Sequence, residues 1–228
     1  MAIQNTLPDP SNPITPAGDA SGTATGPGFA SIKLASKMPV MRDKTNGGTT
    51  ISRYQSYQKW EVQLSYNPLT KEEFDIVYGF LLERQSSIEP FNVALPNYNN
   101  QSTDSAVSAS ATAGTRQLLL TSAGTPSVGD LFHIIDSTDS THTKAYKIVR
   151  VETDSTILTQ VGNTAANPTG QEKRITFLPP LRKSVASTAD VVLSSPLIQV
   201  VAASDTLDYS LNKDGLYKFS LKLEEACY

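Results

Sequence analysis

Apolar and polar residues alternate through Tyr57–Tyr66. Trp60, Val62, Leu64 and Tyr66 fall on one face, and Lys59, Glu61, Gln63 and Ser65 on the other. A period of two marks a strand with one buried face, and Asn67-Pro68 ends it because proline has no N–H to give a ladder. The period then changes. Phe74, Val77, Tyr78, Leu81 and Leu82 recur at helical spacing, which predicts an amphipathic helix from about Lys71 to Arg84. Thr70 and Glu73 have the spacing of a capping box, and Leu69 and Phe74 that of a hydrophobic staple. Ile88-Glu-Pro-Phe91 and Val93–Leu95 read as a short strand ending at Pro96.

From Arg116 to Pro180 the pattern breaks into short strands: Gln117–Thr121, Asp130–Ile135, Lys144–Val151, Thr156–Gln160 and Lys173–Leu178. Turn-forming stretches separate them, which predicts a small antiparallel barrel or sandwich. Strand character returns at Val191–Leu193, Ile198–Val201 and Leu216–Glu224; in the last, Tyr217, Phe219, Leu221 and Leu223 alternate with polar residues. Two stretches have no period. Residues 1–30 carry five prolines and four glycines, a density that blocks helix and ladder alike. This arm is extended or disordered, or becomes ordered by lying across a neighbouring subunit. Residues 98–115, rich in Asn, Ser, Thr and Ala, read as a linker loop.

The expected fold is mainly β. Residues 31–97 and 181–228 form a discontinuous β-sandwich domain with one flanking α-helix, and residues 116–180 form an inserted β-rich domain. Composition agrees: 25 serines and 24 threonines favour strands and turns over helices. A net charge of −3 argues against a dedicated nucleic-acid binder, which needs a basic patch to displace counterions. No stretch reaches the roughly 18 apolar residues that span a bilayer, so no membrane binding is expected. With no basic residue before Lys33, the N-terminal stretch does not read as a signal peptide. The single cysteine, Cys227, cannot form an internal disulfide, and a reducing compartment is the simplest setting.

Candidate chemistry is sparse. His133 sits in an apolar strand and His142 in a Ser/Thr/Asp loop, with no third ligand at zinc spacing. Asp136-Ser-Thr-Asp139 lacks the glycine and distal glutamate of a calcium loop. Glu72-Glu73 belongs to a helix N-terminus, where acidic side chains meet the positive end of the dipole, and Glu224-Glu225 to a strand end. Asn46-Gly47-Gly48 and Gly124–Gly129 lack the lysine of a phosphate loop and read as turns. Trp60, Tyr66, Phe74 and Phe80 fall on faces that predict core. No catalytic, cofactor-binding or metal-binding residue is assigned, and no enzyme activity is expected.

The order of elements nevertheless carries a resemblance. Ile51-Ser-Arg-Tyr54 leads to Trp60-x-Val-x-Leu64, the capped helix ends Phe80-Leu-Leu82, and Glu89-Pro-Phe91 and Leu95-Pro96 follow. Later come Val128-Gly-Asp130-Leu-Phe132, Ala145-Tyr-Lys-Ile148 and Ile175-Thr-Phe-Leu-Pro-Pro-Leu181, and then a closing strand, Gly215–Glu225. Over about 50–96 and 116–225 this resembles the minor tail protein M family of lambda-like phages and the related distal tail proteins; the long insertion departs from the short lambda-type protein. The resemblance implies a tail-tube-like β-sandwich and a structural role at the tail tip, distal tail or baseplate hub of a virion assembled in the host cytoplasm. It also implies self-association in a ring, commonly hexameric, between the tail tube protein and tip or hub proteins, with DNA passing transiently through the lumen. A mildly acidic chain suits such a channel, because basic side chains bind phosphates. The alternative is a carbohydrate-binding or adhesin-like β-sandwich module, which would need Phe132, Tyr146 and Phe177 exposed.

Overall fold

A computed structural model describes residues 5–8, 29–54, 57–85, 87–95, 103–121, 123–137, 139, 142–153, 172–194 and 196–226. The N-terminal arm (apart from 5–8 and its last two residues), the expected strand Thr156–Gln160 and Cys227 lie outside them. In chain order the elements are β1 (Phe29–Lys37), β2 (Val40–Lys44), β3 (Thr50–Tyr54), β4 (Lys59–Tyr66), α1 (Lys71–Glu83) and β5 (Phe91–Ala94). There follow β6 (Ser105–Ala106), β7 (Gln117–Leu120), β8 (Leu131–Ile135), β9 (Ala145–Thr153) and β10 (Lys173–Leu178). The last are β11 (Asp190–Val192), β12 (Leu197–Ala202), β13 (Tyr209–Leu211) and β14 (Tyr217–Glu225). The protein is mainly β with a single helix. It divides into two compact units, Met1–Val93 with Val200–Tyr228, and Ala94–Gln199.

In the first unit the sheet runs β1-β4-β14-β12-β5, with β13 added to β14. The alternation in β4 puts Trp60, Val62, Leu64 and Tyr66 in the core, and β14 answers with Phe219, Leu221 and Leu223. Antiparallel register sets Leu221 opposite Leu64 and Leu223 opposite Val62, so like faces coincide. The helix forms where its cap was expected: Glu73 Oε2 accepts the Thr70 N–H at 2.8 Å and the Thr70 hydroxyl at 2.9 Å. Leu69 and Phe74 are both buried, as a staple requires. Phe74 stacks on Tyr217 at 4.5 Å, and Phe80 meets Phe91 edge-on at 5.6 Å, so the helix covers the sheet through aromatic contacts.

The second unit is a six-stranded antiparallel sheet in the order β6-β11-β8-β9-β10-β7. Its two ends meet. Val107 bridges Leu120, Thr121 N–H donates to the Ala106 carbonyl at 2.9 Å, and Ser108 N–H to that of Leu119 at 2.8 Å. The sheet is thereby a near-closed barrel filled by alternate side chains, among them Leu118, Leu120, Ile134, Ile148, Ile175 and Val191. Phe132, Tyr146 and Phe177 form an aromatic triangle at its centre, with centroids 5.2–5.4 Å apart. The unit is wider than 116–180. Ser105–Ala106, inside the expected linker, pair with β11, and Leu181, Val185 and Leu193 lie in the same core. Closing the barrel demands these flanking segments, because β7 would otherwise be left with a bare edge.

Two histidines serve this unit as packing residues. His142 Nε2 shares a hydrogen bond with the Tyr146 hydroxyl at 2.9 Å, and that hydroxyl accepts the Arg182 N–H at 3.0 Å. His133 Nδ1 accepts the Leu197 N–H at 3.1 Å. Burial lowers the His133 pKa to about 4, with Asp104 opposing the shift and His142 adding to it. Asp104 itself is held below its usual value: burial raises it, but the N–H groups of Ser194 and Leu193 outweigh that.

Two measurements test this account. Phe132→Ala empties the middle of the triangle and should cost about 3–5 kcal/mol in urea unfolding followed by far-ultraviolet circular dichroism. The unfolded chain binds the His133 proton near pH 6.5, whereas the folded chain resists until about pH 4. Stability should therefore fall as pH drops through that window, by up to ~3 kcal/mol from this residue. Denaturation midpoints at pH 7 and pH 5 should converge in His133→Gln, relative to the parent chain.

Candidate assembly surface

The residues that could have carried chemistry are employed in packing and capping. Among the described residues no three His, Cys, Asp or Glu side chains are grouped to hold a metal ion. Asp136 accepts the Ala186 N–H at 2.9 Å, and Glu225, buried, accepts the Trp60 N–H at 3.1 Å. Glu152 is sealed against Arg174, with Nε to Oε2 at 2.6 Å, and meets Arg150 at 3.0 Å. Phe132, Tyr146 and Phe177 are each 0% exposed. The aromatic platform that a carbohydrate-binding module would have used is the barrel's own core, and that alternative is not favoured.

What the first unit presents instead is unsatisfied strand. β1 pairs with β4 on one side and, among the described residues, has no strand on the other. Two residues later the chain enters a hairpin, β2 with β3, which joins no other sheet among the described residues. Its turn is built from Thr45–Thr49: Gly48 N–H donates to the Thr45 carbonyl at 2.9 Å, and Thr49 N–H to the Thr45 hydroxyl at 3.1 Å. Gly48 sits at φ +82°, a conformation open to glycine without strain. Every residue of β2 is exposed. Met41 and Ile51, 59% and 57% exposed, share one face of the ribbon with Asp43 and Arg53, while Val40 occupies the other with Arg42 and Lys44. Met38, in the connection from β1, is exposed as well. A two-stranded ribbon has no core of its own and is marginal in water; this one also displays three apolar side chains, Val40, Met41 and Ile51, with Met38 beside them, as interfaces do.

The opposite edge is closed. Beside β5, Thr6 pairs in parallel with Asn92; Leu7 N–H donates to the Asn92 carbonyl at 2.8 Å and Asn92 N–H to that of Asn5 at 2.7 Å. Leu7 is 0% exposed. The sheet thus has one open edge with a hairpin attached and one edge capped by the N-terminus. The sequence reading missed the open side. β1 buries its inner face only in part, through Ile32 and Leu34, and β2 and β3 bury none, so the period is faint or absent; the available signal was Asn46-Gly47, a hairpin dipeptide between two short strands.

Comparison with known proteins bears on this side of the molecule. Residues 7–98, which span β1–β5, α1 and the hairpin, match the family model for the distal tail protein pb9 A domain, N-terminal part. The chain is 28% identical to distal tail protein pb9 of Escherichia phage T5, in an alignment covering 96% of this chain and 98% of the phage T5 protein. No helix among the described residues is long and apolar enough to cross a membrane. The match takes in Leu7, the open edge and the hairpin together, and with the order of motifs it makes the chain similar to distal tail protein pb9 along nearly its whole length, and a structural component of a phage virion tail.

Proposed function

We propose that copies of this chain associate head to tail into a closed ring at the distal end of the tail, linking the tail tube to tip proteins around the DNA channel. The observation that carries this reading is the hairpin, an exposed ribbon bearing Val40, Met41 and Ile51 with, among the described residues, no partner strand beyond its own pair. The two edges of the sheet differ, so the contact between copies is heterologous, and heterologous contacts build rings when the rotation closes. Sixfold closure follows the family resemblance. The hairpin carries Arg42, Lys44 and Arg53 against Asp43, in a chain of net charge −3; a basic ribbon meeting an acidic neighbour speeds and orients docking. The ring is a scaffold and carries no enzymatic step. The barrel unit is read as an insertion into the sheet-and-helix domain.

Negative-stain images of the protein, alone and mixed with tail tube protein, should show rings with a central hole. Met41→Asp combined with Ile51→Asp places charge on the exposed face of the ribbon, where neither side chain supports the fold. Rings should disappear while the circular dichroism spectrum and melting temperature stay those of the parent. Rings that persist in the double variant would remove the hairpin from the interface, and a monomer under every condition would remove the reading itself.

A further inference from the structure

The segment that caps β5 is joined to the rest of the sheet in an unusual way. Asn5–Pro8 is held by two backbone hydrogen bonds to Asn92, by the buried Leu7 side chain, and by the Tyr66 hydroxyl, which donates to the Pro8 carbonyl at 2.8 Å. The chain reappears at Phe29, whose ring lies 4.9 Å from the ring of the same Tyr66. Twenty residues, 9–28, therefore connect two points that meet at one tyrosine side chain. A few extended residues would close that gap. The covalent reach of twenty residues is at most about 65–70 Å. The capping pairing is parallel, whereas β1 with β4, β4 with β14 and β14 with β12 are antiparallel.

We propose that Asn5–Pro8 is an exchangeable strand: in the assembled ring it leaves its own β5 edge and pairs with the β5 edge of a neighbouring copy, tying the subunits together. Leu7 fills the same cavity and Asn92 the same hydrogen bonds in either arrangement, so exchange preserves every contact and changes only which chain supplies it. The connection is long enough to reach the next subunit, and at ring spacing a neighbour's edge competes on equal terms with the chain's own. The inference rests on the ring assembly proposed above and adds to it the occupant of the capped edge: a second copy of this chain's own N-terminal strand.

Thr6 and Asn92 face each other across the parallel bridge on the side away from Leu7, so cysteines there can meet without disturbing the core. In a Cys227→Ala background, one preparation carries Thr6→Cys and another Asn92→Cys. The two are mixed, assembled into rings, oxidised and run on a non-reducing gel, with the rings confirmed by negative-stain imaging before oxidation. Exchange gives a covalent dimer, and the chain carrying both cysteines gives a ladder of covalent oligomers. Rings that yield no dimer from the mixture, with the doubly substituted chain crosslinked only to itself, overturn the exchange and leave the ring standing. Absence of rings under any condition overturns both.

Discussion

A β-sheet ends in two rows of backbone N–H and C=O groups that must be paired or solvated, and this chain is organised by how it meets that demand. In the barrel unit the sheet curls until β6 and β7 meet, and the Val107–Leu120 bridge removes the edges. In the other unit the sheet stays open: β5 is covered by Asn5–Leu7, and β1, among the described residues, is left without a second strand and leads to the hairpin. The near-closed sheet is finished within one chain. The open one keeps an edge on which the proposed assembly can build.

Magnitudes explain why such an interface would be conditional. Met38, Val40, Met41 and Ile51 are each about half exposed, so burying what remains gives roughly 1 kcal/mol per side chain, about 4 kcal/mol in all. Backbone pairing along β1 adds about 0.5–1.5 kcal/mol per hydrogen bond. Association costs an estimated 4–15 kcal/mol in lost translation and rotation. One contact of this kind is therefore weak. A closed ring makes the last subunit's two contacts at once, and a tail tube that already holds the first copies raises the effective concentration of the rest. Ring formation on a template and a soluble free subunit are then the same energetics under different conditions.

Residues that bury one face advertise themselves in the sequence. The alternation in Lys59–Tyr66 and Tyr217–Glu225 and the 3.6 period of α1 are direct records of a core on one side, and the Thr70–Glu73 cap marks the helix start to the residue. The barrel strands were legible for the same reason. Ser105–Ala106 were not, because two small residues carry no pattern and their place is fixed by backbone hydrogen bonds to β7 and β11. The candidate surface was the least legible part. A strand that buries neither face within its own chain has no reason to alternate, so Val40–Lys44 reads as an unremarkable mixture of apolar and charged residues. Family likeness supplied what periodicity could not. Burial, in turn, decided against the alternative that needed Phe132, Tyr146 and Phe177 exposed, since a strand pattern tells which residues share a face but not whether that face looks inward or outward.

The asymmetry between the edges also controls when pairing happens. A sheet with two bare edges would add copies in solution without limit, the hazard that open edges carry in any β protein. Here Leu7 occupies a fully buried site beside Asn92 and keeps one edge shut in the free chain. The bare edge that another free subunit offers is again β1, so edge-to-edge pairing can join two copies but cannot go on to add more. Only where subunits are already held side by side does a capping strand find a second edge within reach, at no loss of contact. The segment that closes one edge of the free chain would then be the one that locks the proposed ring, with both roles following from four residues, Asn5–Pro8, joined to β1 through twenty more.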